Sequence, residues 1–477
     1  MMSADSKINI LAGAREKAVK ASPARERLAL LLDEGSFTEL DAFAKAGGGS
    51  AGVVTGYGAV EGTTVFVFAQ DKTEASGAVG KVQAAKIKKV YELAVKTGAP
   101  VVGIYDSFGA ALKEGNDALA AYGEMLLWSN NLSGVVPQIS VIAGTCAGTA
   151  AMMAASADLV VMSEEAEFFL TAPSIEKANG ASVAGAGSAA NAAKAGVAHL
   201  VAKTTEDAIA KAKHLVSMLP QNNLSALPIF DFAAKADTEA ALRAACESGE
   251  LDAAAIVENI FDAGSVVELM PEYGSKGAYI ALATIGGFTC GVASTKGGPL
   301  CRKNCKKLAL LMQLCDAYQI PVITFVNASG FLADAEAELA GLAKYAATLA
   351  HVYAEATTPK IAVITGKAYG AAYIALAGKN SNADIALAWP SAVISALEPA
   401  TAAAILHADD VSATKDMAAI TADYIANEAS PYKACEDGYV DDVIDPANTR
   451  DMLISALDML SGKRVSKLPK KHSNMPL

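Results

Sequence analysis

Short runs of β-branched residues alternate along this chain with longer stretches in which apolar positions recur every three or four residues. Val101–Tyr105 and Ile139–Ala143 read as strands by length and composition. Residues 81–97 set Ile87, Val90, Tyr91, Ala94 and Val95 at helical spacing. The alternation predicts a βα-rich α/β fold. Two windows, Ile139–Ala157 and Gly277–Thr295, carry no charge and are long enough to cross a bilayer. Both are rich in Gly, Ala and Thr rather than Leu and Ile, so buried strand–turn–helix segments are expected at each.

The pattern occurs twice. Residues 137–151, Pro137-Gln-Ile-Ser-Val-Ile-Ala-Gly-Thr-Cys-Ala-Gly-Thr-Ala-Ala, align with residues 359–373, Pro359-Lys-Ile-Ala-Val-Ile-Thr-Gly-Lys-Ala-Tyr-Gly-Ala-Ala-Tyr, at an offset of 222. Pro100-Val-Val-Gly-Ile-Tyr-Asp-Ser aligns with Pro321-Val-Ile-Thr-Phe-Val-Asn-Ala at 221, and Gly35-Ser-Phe-Thr-Glu-Leu with Gly264-Ser-Val-Val-Glu-Leu at 229. A looser match joins Gly196-Val-Ala-His-Leu-Val to Gly438-Tyr-Val-Asp-Asp-Val at 242. Four matches in one order imply a duplication. The boundary is expected near residues 220–250, giving domains of 1–230 and 231–477.

In each copy a strand runs into small residues and then a helix. The first copy has Gly144-Thr-Cys-Ala-Gly-Thr149 ahead of a helix from about Ala150; the second has Gly366-Lys-Ala-Tyr-Gly-Ala371. An earlier turn of the same kind, Asp106-Ser-Phe-Gly-Ala110 and Asn327-Ala-Ser-Gly-Phe331, precedes each. Glycine permits such turns and close ligand approach. A helix start leaves amide N–H groups unpaired. Two converging amides can hold one developing oxyanion.

Composition narrows the classes. A length of 477 residues suits two domains, and 52 % hydrophobic with 19 % charged residues suits a globular chain with ample core. The net charge of −12, with a basic stretch only at Lys463–Lys471, argues against nucleic acid as a partner. Seven scattered cysteines, without a signal segment, predict a reduced, cytoplasmic protein. Cys301 and Cys305 lack a second ligand pair at metal spacing, so no metal site is expected.

The motifs together resemble the carboxyltransferase family, the beta-type subunit of biotin-dependent acyl-CoA carboxylases and decarboxylases such as those acting on propionyl-CoA and methylmalonyl-CoA. The resemblance runs from about Arg25 to Leu477. It is carried by Ala24-Arg-Glu-Arg27, Leu31-Leu-Asp-Glu-Gly-Ser-Phe37, Ala69-Gln-Asp71, Gly196-Val-Ala-His-Leu-Val, Lys367-Ala-Tyr-Gly-Ala-Ala-Tyr373, Ala388-Trp-Pro390 and the ending Lys471-His-Ser-Asn-Met-Pro-Leu477. It implies two tandem crotonase-like (ββα superhelix) domains. It further implies acyl-CoA against the N-terminal domain and carboxybiotin, borne on a biotin carboxyl carrier protein, against the C-terminal domain of a partner chain, in a homo-oligomer of hexameric type. On this resemblance the thioester enolate is held by amides of Gly109, Ala110, Gly148 and Thr149, and the biotin ureido oxygen by those of Gly330, Phe331, Gly370 and Ala371. Candidate cofactor contacts are Lys86, Ala147, Tyr369, Ala372 and Tyr373. Neither a biotinyl Ala-Met-Lys-Met motif nor an ATP-grasp segment is present. Biotin and energy coupling are therefore expected from other chains: a biotin carboxylase subunit, or the membrane subunits of a sodium-pumping decarboxylase.

The chain departs from the family at Phe108-Gly-Ala-Ala111, where Gly-Gly-Ala-Arg is usual. Thr149 and Ala371 stand where Gly is common, and Ile374 stands where propionyl-type members often carry Asp. An enoyl-CoA hydratase or isomerase is a rival on the same fold, but its acids would fall near Met152 and Ser174, neither of which titrates as one. A non-catalytic scaffold of a biotin enzyme complex is the second rival. Lys86 and Lys367 are read either as solvated lysines or as contacts to CoA phosphates or biotin. His199, His351, His407 and Glu114 are read as structural or solvated residues, and Tyr369 and Tyr373 equally as pocket walls or core aromatics.

Overall fold

A computed structural model describes residues 4–181, 184–249, 252–410 and 416–476. Leu477, the last residue of the C-terminal motif, lies outside them. The chain divides into two compact units, Met1–Ala226 and Leu227–Leu477, where sequence reading sets the cut after residue 230.

Unit 1 is built on one mixed sheet. Its strands are β1 (Thr38–Leu40), β4 (Val53–Val60), β5 (Thr63–Gln70), β6 (Val101–Ser107), β7 (Gln138–Ala147), β8 (Leu159–Ser163) and β10 (Leu200–Ala202), hydrogen-bonded in that order; β9 (Glu167–Phe169) pairs with the far end of β7. A two-stranded ribbon of β2 (Lys45–Ala46) and β3 (Gly49–Ser50) stands apart. The β1·β4 and β4·β5 pairs are antiparallel; the pairs from β5 through β10, and β7·β9, are parallel. Parallel neighbours need crossovers, and the helices Lys81–Thr97 and Asn116–Leu132 supply them. The first buries Ile87, Val90, Tyr91 and Ala94, four of the five apolar positions that its spacing marked. Against it, the Phe68 ring meets Tyr91 and Tyr105 edge-on, with centroids 6.0 and 5.4 Å apart.

Unit 2 repeats the plan. β11 (Val267–Leu269), β12 (Ala278–Ile285), β13 (Phe288–Thr295), β14 (Val322–Ala328), β15 (Lys360–Tyr369), β16 (Ile385–Ala388) and β18 (Asp442–Val443) follow one another across the sheet, and β17 (Val393–Ser395) pairs with β15. The helices Arg302–Ala317 and Leu342–Glu355 are its crossovers. Phe261 packs edge-on against Phe325, and the enclosed Trp389 donates from Nε1 to Thr449 Oγ1 at 3.0 Å.

The two uncharged windows part company here. Ile139–Ala157 is a strand, a turn and the helix Thr149–Ala155. Gly277–Thr295 is instead an antiparallel hairpin, β12 and β13, paired from Ala278↔Thr295 to Ile285↔Phe288. Gly286 and Gly287 form its turn with φ of +59° and +81°. Two adjacent left-handed residues are what a tight hairpin requires, and Gly-Gly between two apolar runs is its signal. Among the described residues no helix is long and apolar enough to cross a membrane.

Candidate active site

In unit 1 the parallel register of β6 and β7 ends on Ser107↔Cys146. Ala110 and Thr149 each lie three residues beyond that pair. In unit 2 the register of β14 and β15 ends on Ala328↔Ala368, and Phe331 and Ala371 lie three residues beyond. Parallel pairing therefore brings the two turns together at the carboxyl ends of central strands in each unit.

The first turn is tied down by the loop that leads to the crossover helix. Val79 donates to Gly109 O at 2.8 Å and Ala111 donates back to Val79 O at 2.9 Å. In unit 2, Leu300 donates to Gly330 O at 2.9 Å and Leu332 to Leu300 O at 3.0 Å. Between those bonds the amides of Ala110 and Phe331 have no acceptor among the described residues. The second turn passes through Gly148 (φ 63°, ψ −129°) and Gly370 (φ 54°, ψ −134°), a region closed to side-chain-bearing residues without strain. Thr149 and Ala371 are then the first helical residues, where an N–H has no partner within the helix.

Three expected donors are corrected by their neighbours. The Gly148 amide donates to Phe169 O at 2.9 Å and the Gly370 amide to Ser395 O at 2.9 Å. These bonds continue the short pairs β7·β9 and β15·β17. The Gly109 amide donates to Ser107 Oγ at 3.1 Å. Gly330 escapes that fate because Ala328, with no hydroxyl, stands where Ser107 does, and its amide has no acceptor among the described residues. Each unit thus presents one open amide from each turn, Ala110 with Thr149 and Phe331 with Ala371, and unit 2 adds Gly330.

The other expected contacts scatter. Lys86 is buried; its Nζ donates to Val53 O at 2.9 Å, and burial lowers its pKa. A cation enclosed this way has no open face for a phosphate, a correction that its place among the inward positions of helix Lys81–Thr97 explains. Ala147 and Ala372 are enclosed beside the turns. Tyr373 lines a cavity of about 430 Å³ with Gly370, Ala371, Ile374 and Ile394, and its hydroxyl donates to Tyr439 O at 3.0 Å. Tyr369 is buried and is not among the residues lining that cavity; burial raises the pKa of both phenols. Lys367 keeps an exposed side chain, while its amide donates to Asn327 Oδ1 at 3.0 Å. Met152 and Ile374, equivalent positions on the helices that follow, are half exposed, and Ile374 is a wall of that cavity.

Glu114 is a cap rather than a solvated residue. Its Oε2 accepts the Lys81 N–H at 2.7 Å, at the start of helix Lys81–Thr97, where Gly80 leaves it room. His199 is structural: it is enclosed, its Nδ1 accepts the Val160 N–H at 3.0 Å, and burial drops its pKa to about 4.

Ser107, Asp106, Arg27, Asn327, Phe169 and Ser395 bond to the turns through side chains or carbonyls, a role that the sequence pattern does not assign them. Asp106 and Asn327 stand opposite each other in the aligned repeats, which was the available signal. Nothing in the sequence marks three-residue strands such as β9 and β17.

Known proteins share this chain's sequence and architecture. The carboxyl transferase domain profile matches residues 20–475. The chain is 39 % identical to the methylmalonyl-CoA decarboxylase alpha subunit of Veillonella parvula over 98 % of this chain and 97 % of that one. It is 38 % identical to the propionyl-CoA carboxylase beta chain of Saccharopolyspora erythraea, over 97 % and 92 % of the two chains. The structure of transcarboxylase 12S with methylmalonyl-coenzyme A and methylmalonic acid bound, described as a hexamer, superposes with a TM-score of 0.94 at 33 % identity, covering 100 % of both chains.

Proposed function

The chain belongs to the carboxyl transferase family, as a biotin-dependent acyl-CoA carboxyltransferase of two tandem crotonase-like units, and from that membership we propose how its two amide pairs divide the reaction. Ala110 and Thr149 hold the thioester oxygen of an acyl-CoA in unit 1. Phe331 and Ala371, with Gly330 beside them, hold the ureido oxygen of biotin in unit 2. The observation that carries this reading is the matched pair of open amides, each three residues past the last register pair of its sheet.

The chemistry asks for little else. Removing a proton from the carbon next to a thioester places negative charge on the thioester oxygen, and two fixed N–H donors stabilise that charge without reorganising. Biotin, when bound, carries the carboxyl group and supplies the base for that proton. The fit of unit 2 to a biotin head group rests on the cavity at Ala371, whose volume of about 430 Å³ and walls of Ile374, Ile394 and Tyr373 suit a small two-ring ligand. The remaining task of this chain is to position both substrates.

The acyl-CoA is taken to be of the propionyl/methylmalonyl class, the substrates that the relatives' names carry. Ala111 leaves that site without the family's arginine, so the acyl-CoA is held there by amides and apolar surface. A biotin carboxyl carrier protein delivers the biotin, and a biotin carboxylase or membrane decarboxylase subunits complete the cycle. A cytoplasmic homo-oligomer, hexameric as in the 12S structure, belongs to this reading.

The test gives the purified chain methylmalonyl-CoA and free biotin. Transfer of the carboxyl group to biotin supports the reading. Hydration of crotonyl-CoA in its place would favour the hydratase alternative, and a folded chain with neither activity would favour a scaffold.

A further inference from the structure

The strands that carry the two turns do not pair evenly. β6 and β7 pair from Val101↔Gln138 to Tyr105↔Ile142 and resume at Ser107↔Cys146. Asp106 alone therefore faces Ala143, Gly144 and Thr145. β14 and β15 do the same between Val326↔Ile364 and Ala328↔Ala368, so Asn327 faces Thr365, Gly366 and Lys367. A bulge strands backbone groups that must be paired when buried.

Each unit pairs them with side chains. Asp106, 1 % exposed, accepts the Thr145 N–H on Oδ1 at 3.2 Å. Arg27 donates to Asp106 Oδ2 at 2.9 Å and reaches Ala143 O at 3.4 Å; Lys72 stands 3.6 Å from Asp106 Oδ1. Gly144 leaves no slack, since a Cβ there would lie 2.1 Å from Asp106 Oδ1. In unit 2, Asn327 Oδ1 accepts the Lys367 N–H at 3.0 Å and Ser391 Oγ donates to Thr365 O at 2.8 Å. Arg27 has the buried Ile256 as its counterpart at the offset of 229.

We propose that Asp106 and Asn327 are positioning residues, each setting the spacing between the two open amides of its unit by capping the bulge between their strands. Asp106 lies four residues before Ala110, and the amide that it holds lies four residues before Thr149. Asn327 stands in the same relation to Phe331 and Ala371. The inference rests on the oxyanion reading of those amides.

Asp106→Ala in the full chain, assayed with methylmalonyl-CoA and free biotin, should lower kcat about 10- to 100-fold while KM for the acyl-CoA moves less than about threefold, because misplacement of a catalytic group by an ångström costs rate before binding. Asp106→Asn combined with Arg27→Ile rebuilds the arrangement of unit 2 and should recover most of that kcat; Asp106→Asn alone should recover less, since its Nδ2 would face the Arg27 guanidinium. Should Asp106→Ala fail to fold, Asn327→Ala carries the test, because Asn327 has no ion pair among the described residues to lose. Normal kcat in folded Asp106→Ala and Asn327→Ala, or a lost kcat that the double variant leaves unrestored, overturns the proposal. Thr149→Pro separates the two readings. If it turns over normally the oxyanion assignment fails; if it is inactive while Asp106→Ala is normal, only the positioning role fails.

Discussion

Lys307 donates from Nζ to the Met270 carbonyl oxygen at 2.8 Å, with its side chain wholly enclosed. Lys86 occupies the equivalent position in unit 1 and makes the same kind of bond, to Val53 O at 2.9 Å. Burial drives the Lys307 pKa from the ordinary 10.5 to about 8.

Stability should therefore rise in alkali. Between pH 8 and 10.5 the unfolded chain keeps a proton on this lysine that the folded chain has released. Below that window both states hold it and the full burial cost, roughly 3 kcal/mol, is present. Lys307→Met should remove about that much of the climb between pH 7 and pH 10.5, measured as the difference from wild type in urea unfolding. Parallel curves for the two proteins would contradict it.

The mirror case in acid is His199. Its pKa falls from 6.5 to about 4 on folding, so stability is lost as pH drops through that window, by roughly 3 kcal/mol when complete. His199→Asn keeps an acceptor for the Val160 N–H and removes the titration. Its unfolding free energy should be flatter than that of wild type between pH 6.5 and 4.

Thr149→Pro removes an open amide without removing a strand bond. Its kcat should fall about 10²- to 10³-fold with the fold retained, since Pro is tolerated at the first helical position. Thr149→Ala keeps the amide and should cost only a few-fold. Ala371→Pro should act likewise on transfer to biotin. Circular dichroism with steady-state kinetics checks all three.

Glu114→Ala leaves the first amide of helix Lys81–Thr97 uncapped. A loss of about 1 kcal/mol is expected, read as a lowered midpoint in urea with the slope unchanged.

Assembly is open to light scattering. A species several times the 48.6 kDa chain mass should hold the activity. Full activity in a single-chain peak would count against the hexameric reading.

The duplication was legible because Gly, Pro and β-branched residues at strand ends recur at nearly constant offsets, and those residues answer to backbone geometry. Both turns in each unit followed from it. What the sequence hid was mostly the partner of each polar group. Gly148 and Gly370 looked like donors until β9 and β17, too short to register as strands, were seen to take their amides. Gly109 lost its amide to Ser107, two residues away, a contact that adjacency alone does not imply. Lys86 looked like a phosphate contact because charge suggests a surface, yet a long aliphatic stem let its ammonium reach Val53 O from inside the helix packing. Gly277–Thr295 was misread because apolar runs of that length do not distinguish helix from strand.

Asp and Asn differ at the bulge by one terminal atom, and the oxygen that caps the strand is common to both. Shape and field are therefore inherited separately in the two halves. Unit 1 holds its turns with a buried anion attended by Arg27 and Lys72, and unit 2 holds the same turns with a neutral amide. The charge beside the turns can therefore differ between the two units while the backbone geometry that the oxygen caps stays the same.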